Sequence, residues 1–214
     1  MNIEKNFEIK EPLKETDDVK VYKALERISK KLVVLKLVRI GGVFPVSEYK
    51  THLQHKNIVK CLEIKSKVLF QEKEYHMSIL EYVNATKFHQ SLSKIKEQHF
   101  AFVHELLKAI AYLHDNNIIH GDIKSDNILV KQKNNQLFPV VMDYSTFFVK
   151  GAHKVVTPEY LAPEFSEGFS KQTDIWALGC LLFEIFTNKH PFGSRKEGLT
   201  FDQIIANSKS KPLE

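Results

Sequence analysis

The chain has 214 residues, 43% of them hydrophobic and 27% charged, with a formal net charge of +5. That length and balance give one large domain or two small lobes around a real core, and they exclude wholesale disorder. Three arginines (Arg27, Arg39, Arg195) among many lysines leave little material for reading base edges, so no specific nucleic-acid partner is expected.

In chain order, the N-terminal stretch MNIEKNFEIKEPLKE alternates charged and apolar residues and has no signal-peptide core. Val19, Val21 and Tyr22 read as a short strand. Leu32 to Val38 is a β-branched and aliphatic strand broken only by Lys36. Gly41-Gly42 predicts a turn, and residues 45–55, PVSEYKTHLQH, a short helix with Pro45 near its first turn. Val68 to Phe70 and Met77 to Val83 read as two further strands. The period then changes. Residues 99–114 place Phe102, Leu106, Ile110 and Leu113 at helical spacing. Pro139 to Met142 reads as a strand, and Asp174 to Phe186 as a second helix, apolar nearly all round and therefore central. Its apolar run from Ile175 to Phe183 is too short to cross a bilayer, so no membrane partner is expected. Cys61 and Cys180, the only cysteines, fit a reducing, cytoplasmic setting better than a disulfide framework. His52 and His55 stand at i and i+3 near Cys61, but no second ligand pair follows, and zinc is not expected.

One stretch stands out. In IIHGDIKSDNILV (118–130), two apolar runs that read as core strands bracket His120, Asp122, Lys124, Asp126 and Asn127. Either this is a polar turn kept for solubility, or the flanking strands hold a reactive loop still.

VVLK (33–36), HGDIKSDN (120–127), DYS (143–145) and APE (162–164) occur in the order of the eukaryotic protein-kinase signatures, and the chain resembles that family over essentially its whole length. TPEYLAPE (157–164) and DIWALGC (174–180) sit where the family has its substrate-side loop and its central helix. The resemblance implies an α+β, two-lobed fold: a small antiparallel β lobe (1–82) and a mainly helical lobe (83–214). The chain ends soon after Pro191-Phe192, where family members continue, so a fold truncated at its C-terminus is expected.

The resemblance also implies roles. Phosphoryl transfer from ATP asks for a cation on the phosphates, oxygen ligands for Mg²⁺ and a carboxylate to orient the attacking hydroxyl. Lys36 is the implied phosphate cation; by itself it also reads as a lysine snorkelling from a strand edge. Glu48, the only acid between Lys36 and HKNIV, is the candidate to pair with it, or else a first-turn acid favoured by the helix dipole. Asp122 is the implied catalytic carboxylate, with Lys124 beside the transferred phosphate and Asn127 and Asp143 on Mg²⁺. His120 is expected to anchor backbone rather than act as a base. Glu81 and Val83 resemble the adenine hinge, with Val21, Val34 and Leu129 about the base, although such hydrophobics suit any core. Lys124 and Thr157 match the serine/threonine-directed members. Lys87 on one side, and Asp126 and Glu184 on the other, give conflicting signals about a basic substrate.

Three departures bear on activity. The glycine-rich loop falls on residues 14–21, KETDDVKV, where Lys14, Thr16 and Val19 replace the glycines and Asp17 and Asp18 add negative charge. Gly121 replaces the arginine of H-R-D, so phosphorylation-driven activation is not expected. Glu164 lacks the family's late arginine, with Arg195 the sole downstream candidate. Two readings remain open: an ATP- and Mg²⁺-dependent serine/threonine kinase acting on a protein substrate, and a pseudokinase that docks a regulatory protein partner. A small-molecule kinase is the weaker third.

Overall fold

The computed structural model describes residues 3–42, 49–144 and 156–210. The chain divides into two compact units, residues 1–84 and 85–214.

The first unit is a five-stranded antiparallel sheet preceded by a single helical turn, α1 (Ile3–Asn6). Its strands are β1 (Phe7–Glu15), β2 (Val19–Glu26), β3 (Leu32–Arg39), β4 (Cys61–Phe70) and β5 (Lys73–Glu81), in spatial order β1-β2-β3-β5-β4. The period of two divides the central strands cleanly. Tyr22, Ala24, Val33, Leu35, Leu37, Met77 and Ile79 join Ile3 and Phe7 in the core. The opposite face carries Val21, Val34 and Lys36, with Ser78 and Leu80 paired to Lys36 and Val34 on β5. Both edge strands are longer than the sequence patterns indicate. β1 exposes most of FEIKEPLKE, and β4 hides only Cys61, Val68 and Phe70. Edge strands solvated on two sides keep no alternation to read.

The expected helix over 45–55 is not found in its described part. Of residues 49–55, Thr51 and His52 form a turn closed by Leu53 N–H bonding to Lys50 O and the others are irregular, and just beyond them Asn57 N–H bonds to His55 Nδ1. Such side-chain acceptors compete with helix formation. Residues 43–48, Glu48 and Pro45 included, lie outside the described residues.

The second unit begins with β6 (Thr86–Lys87), α2 (Phe88–Glu97) and α3 (His99–Asp115). α3 packs Phe102, Leu106, Ala109, Ile110 and Leu113 inward, as the spacing predicts. It ends in a Schellman turn: Asn117 has φ 56°, its N–H reaches His114 O, and Ile118 N–H reaches Leu113 O. Ile118 is therefore consumed in the helix cap, and Ile118-Ile119 is not the strand that its composition indicates. β7 (Ile128–Lys133) and β8 (Gln136–Val141) form a hairpin closed by Asn134 and Asn135, both at positive φ as a two-residue turn requires. α4 (Lys171–Thr187) starts on a reciprocal Ser170–Thr173 capping box and stops at left-handed Asn188. Beyond Phe192 the chain goes on to α5 (Phe201–Ser210), whose Ile205 packs with Leu161 and Phe165. The fold is α+β, as expected, and among the described residues no helix is long and apolar enough to cross a membrane.

The two faces of the first sheet should respond differently to truncation. Leu35→Ala empties a fully buried site and should cost about 2–5 kcal/mol in urea unfolding. Leu69→Ala, at a side chain 58% exposed, should stay within about 0.5 kcal/mol. Equal losses would contradict the assignment of the core face.

Candidate active site

In the first unit, Lys36 lies mid-strand on the face opposite the core, register-paired with Val21 and Ser78. Its Nζ donates to Tyr49 Oη over 3.3 Å and stands 5.3 Å from the centre of that ring. Val21 and Val34 share this face and are half-buried. Glu81 closes β5, and its Oε1 accepts Lys60 N–H at 2.8 Å while its own N–H bonds to Lys60 O. Val83 follows it outside any strand, half-buried.

The turn at 16–18 is a closed structure. Thr16 N–H bonds to Val19 O, the Thr16 hydroxyl donates to the same carbonyl, and Val19 N–H bonds back to Thr16 Oγ1. Asp18 does not add free charge at the tip, as the sequence indicates. It turns inward, 7% exposed, to an ion pair with Arg39 Nε at 2.7 Å, while Arg39 N–H bonds to Asp18 O. Gly42 is packed against the same carboxylate: a Cβ there would lie 2.7 Å from Asp18 Oδ1.

In the second unit, the stretch 120–127 hangs from one carboxylate. Asp174, 1% exposed in the first turn of α4, accepts His120 N–H at 2.8 Å, Gly121 N–H at 2.9 Å and His114 Nε2–H at 2.8 Å. Gly121 sits at φ 74°, which suits glycine where the family has arginine. His120 is fully buried; its Nδ1 accepts Asp122 N–H, so its Nε2–H donates to Met142 O. Burial lowers its pKa against the pull of Asp174, Asp122 and Asp143, and the ring is neutral.

Around this anchor, the polar side chains converge. Lys124 Nζ stands 2.8 Å from Asp122 Oδ2 and donates to Thr157 Oγ1 at 3.0 Å. Asn127 Nδ2 donates to Asp122 O at 2.7 Å and to Asp122 Oδ2 at 2.9 Å. With both amide hydrogens spent, Asn127 Oδ1 is left as an acceptor. Asn127 O in turn holds Met142 N–H, which sets Asp143 next along the chain at φ 56°, a conformation aspartate tolerates. Asp122, Lys124, Asn127 and Thr157 thus form one hydrogen-bonded group. Leu129 lies on β7, half-buried and paired with Lys87 and Val140. Among the described residues no group of three or more His, Cys, Asp or Glu is arranged to hold a metal. The residues expected to serve a divalent cation, Asn127 and Asp143, carry an amide oxygen and a carboxylate.

Four side chains in contact with the candidate groups or their loops escape the sequence reading. Asp174 and His114 build the anchor; the signal for Asp174 is an acid in the first turn of a helix that is apolar nearly all round except Glu184. Tyr49 meets Lys36 from a segment that reads as helix. Tyr160 donates to buried Glu184 at 2.5 Å and bonds to Ser125 Oγ at 3.0 Å; burial and Glu184 push its phenol pKa up. Glu184 and Asp126 both face His89, at 3.9 and 3.4 Å. Glu164 is exposed. Arg195 lays its guanidinium 6.0 Å from the Phe201 ring and gives its backbone N–H to Glu159, so it does not supply the missing partner of Glu164. Residues 145–155 lie outside the described set.

The chain belongs to the protein kinase family: the family described as Protein kinase domain matches residues 9–212. It is similar to CTD kinase subunit alpha of Schizosaccharomyces pombe, 30% identical over 201 residues that cover 83% of this chain and 32% of the relative. It is also similar to an Aurora kinase of Patiria pectinifera, 28% identical over 93% of this chain and 52% of the relative. A third relative is serine/threonine-protein kinase sgk-1 of Caenorhabditis elegans, 28% identical over 87% of this chain and 43% of the relative. The chain spans only a third to a half of the length of these relatives.

The anchoring of both units is open to measurement. Gly42→Ala forces the Asp18 carboxylate off Arg39 and should cost about 1–3 kcal/mol in thermal or urea unfolding. The loss should shrink in an Asp18→Ala background, because the two changes break the same contact. His120 gives a pH signature. Its folded pKa lies below the ordinary 6.5. As pH falls below that value, the unfolded chain takes up a proton that the folded chain refuses. Stability should therefore hold above about pH 6.5 and fall as pH drops toward 5. His120→Gln should flatten that slope in urea midpoints taken at pH 5, 6 and 7.

Proposed function

We propose that this chain is an ATP- and Mg²⁺-dependent serine/threonine protein kinase, transferring the γ-phosphoryl group to a hydroxyl of a protein substrate. The observation that carries the reading is the Asp122–Lys124–Asn127–Thr157 group suspended from Asp174. Among the described residues Asp122 Oδ1 accepts no hydrogen bond, and that oxygen orients the substrate hydroxyl and takes its proton. Lys124, already on the other oxygen, keeps the carboxylate in place and offers positive charge to the transferred group. Asn127 Oδ1 and Asp143 fit Mg²⁺, which keeps several waters and asks few ligands of a protein. When bound, Mg²⁺ neutralises phosphate oxygens and so favours departure of the leaving phosphate. Lys36 is the phosphate cation of the first unit, Glu81 and Val83 offer backbone groups to adenine, and Val21, Val34 and Leu129 offer apolar contact. Thr157 and its loop face the polypeptide. Cys61 and Cys180 are free and buried, which supports a cytoplasmic setting.

A second reading is favoured by the turn at 16–18. The N–H groups of Thr16 and Val19 are spent within the turn, so fewer backbone donors remain for phosphates than a glycine loop gives. On this reading the chain is a pseudokinase that docks a regulatory partner.

A thermal-shift titration with ATP separates the two. The kinase reading expects stabilisation that requires Mg²⁺, is lost in Asp143→Asn, and reaches about 2.7 kcal/mol at a hundredfold excess over Kd. Phosphoryl transfer to a mixed protein substrate should then vanish in Asp122→Asn while nucleotide binding survives. No shift at millimolar ATP in folded protein would leave the docking reading.

A further inference from the structure

Lys36 stands on a sheet face with apolar or hydroxyl neighbours, Val21 and Val34 with Ser78 across the ladder. Tyr49 reaches it from outside the sheet with both a hydroxyl oxygen at 3.3 Å and a ring whose centre is 5.3 Å away. The phenol is 3% exposed, so packing fixes it and the amine must come to it. A lysine side chain otherwise carries much rotamer freedom, which has to be lost before its charge can serve a fixed ligand. A ring face and a hydroxyl orient an ammonium and carry no negative charge themselves.

We propose that Tyr49 is a positioning residue for nucleotide binding: its phenol holds the Lys36 ammonium in the place from which it meets the phosphates. This rests on the reading of Lys36 as the phosphate cation. Tyr49 touches the lysine, not the nucleotide, and acts only through it. Its contribution therefore exists only while the ammonium is there.

That dependence is the test. Calorimetric Kd values for Mg²⁺·ATP are compared in wild type, Tyr49→Phe, Lys36→Met and the double variant. Tyr49→Phe keeps the ring and the packing and should weaken binding about three- to tenfold, the net worth of one ordinary hydrogen bond. Tyr49→Leu, which also removes the ring, should weaken it further. In the Lys36→Met background Tyr49→Phe should change nothing. Equal weakening in both backgrounds overturns the proposal and makes Tyr49 a packing residue. Wild-type protein that binds no nucleotide, or Lys36→Met that binds as wild type, overturns the role of Lys36 together with the proposal. The ¹³Cε resonance of Lys36 in nucleotide-free protein separates these failures. If it moves in Tyr49→Phe, the contact is real and the reading of Lys36 is what failed; if it stays, Tyr49 does not hold the amine.

Discussion

Asp174 carries a negative charge in the interior of the second unit, where a carboxylate without partners would cost several kcal/mol of lost hydration. It persists because three donors converge on it, two of them backbone N–H groups of the loop and one the His114 imidazole. The same bonds fix the backbone at His120 and Gly121, and His120 passes the constraint on to Asp122 and Met142. From there it reaches Asn127 and the residue before Asp143. A charge buried in this unit thus holds the loop backbone that carries Asp122 and Asn127, and α4 buries a second acid, Glu184, which accepts from Tyr160.

The first unit solves a different problem. A sheet with one face in a core leaves the other face to hold functional groups, and here that face pairs Lys36 with small or apolar neighbours. The turn between β1 and β2 has no glycine, and it is stiffened from both sides: by Thr16 and Val19 bonding within it, and by Asp18 bonding to Arg39 beneath it. A glycine loop closes on a ligand by virtue of freedom; this turn presents a fixed surface.

Much of this was legible. Leu32 to Val38 is an aliphatic run broken only by Lys36, His99 to His114 keeps a helical period, and both form where the sequence places them. The polar run 120–127 and the acid at 143 also declare themselves, because charge set between apolar runs is costly unless it has a use. What was not legible has particular causes. β4 and β1 are edge strands whose exposed residues lack alternation. Ile118-Ile119 looks like strand, but a Schellman turn needs an apolar residue at Ile118 just as much. Residues 45–55 read as a short helix with Pro45 near its first turn, yet the described part, 49–55, is not helical and His55 Nδ1 accepts Asn57 N–H.

Local sequence is enough for the elements with strong period and for the family, and it names the residues proposed for phosphoryl transfer, because hydrophobic spacing and residue type are local properties. Which of those residues share hydrogen bonds is settled by packing. It turned Asp18 inward to Arg39, gave His120 its neutral tautomer, put Tyr49 on Lys36 and Asp174 under the loop. Each of these joins residues far apart in sequence or in different elements, through contacts whose strength depends on burial and direction, and neither quantity exists until the chain has packed.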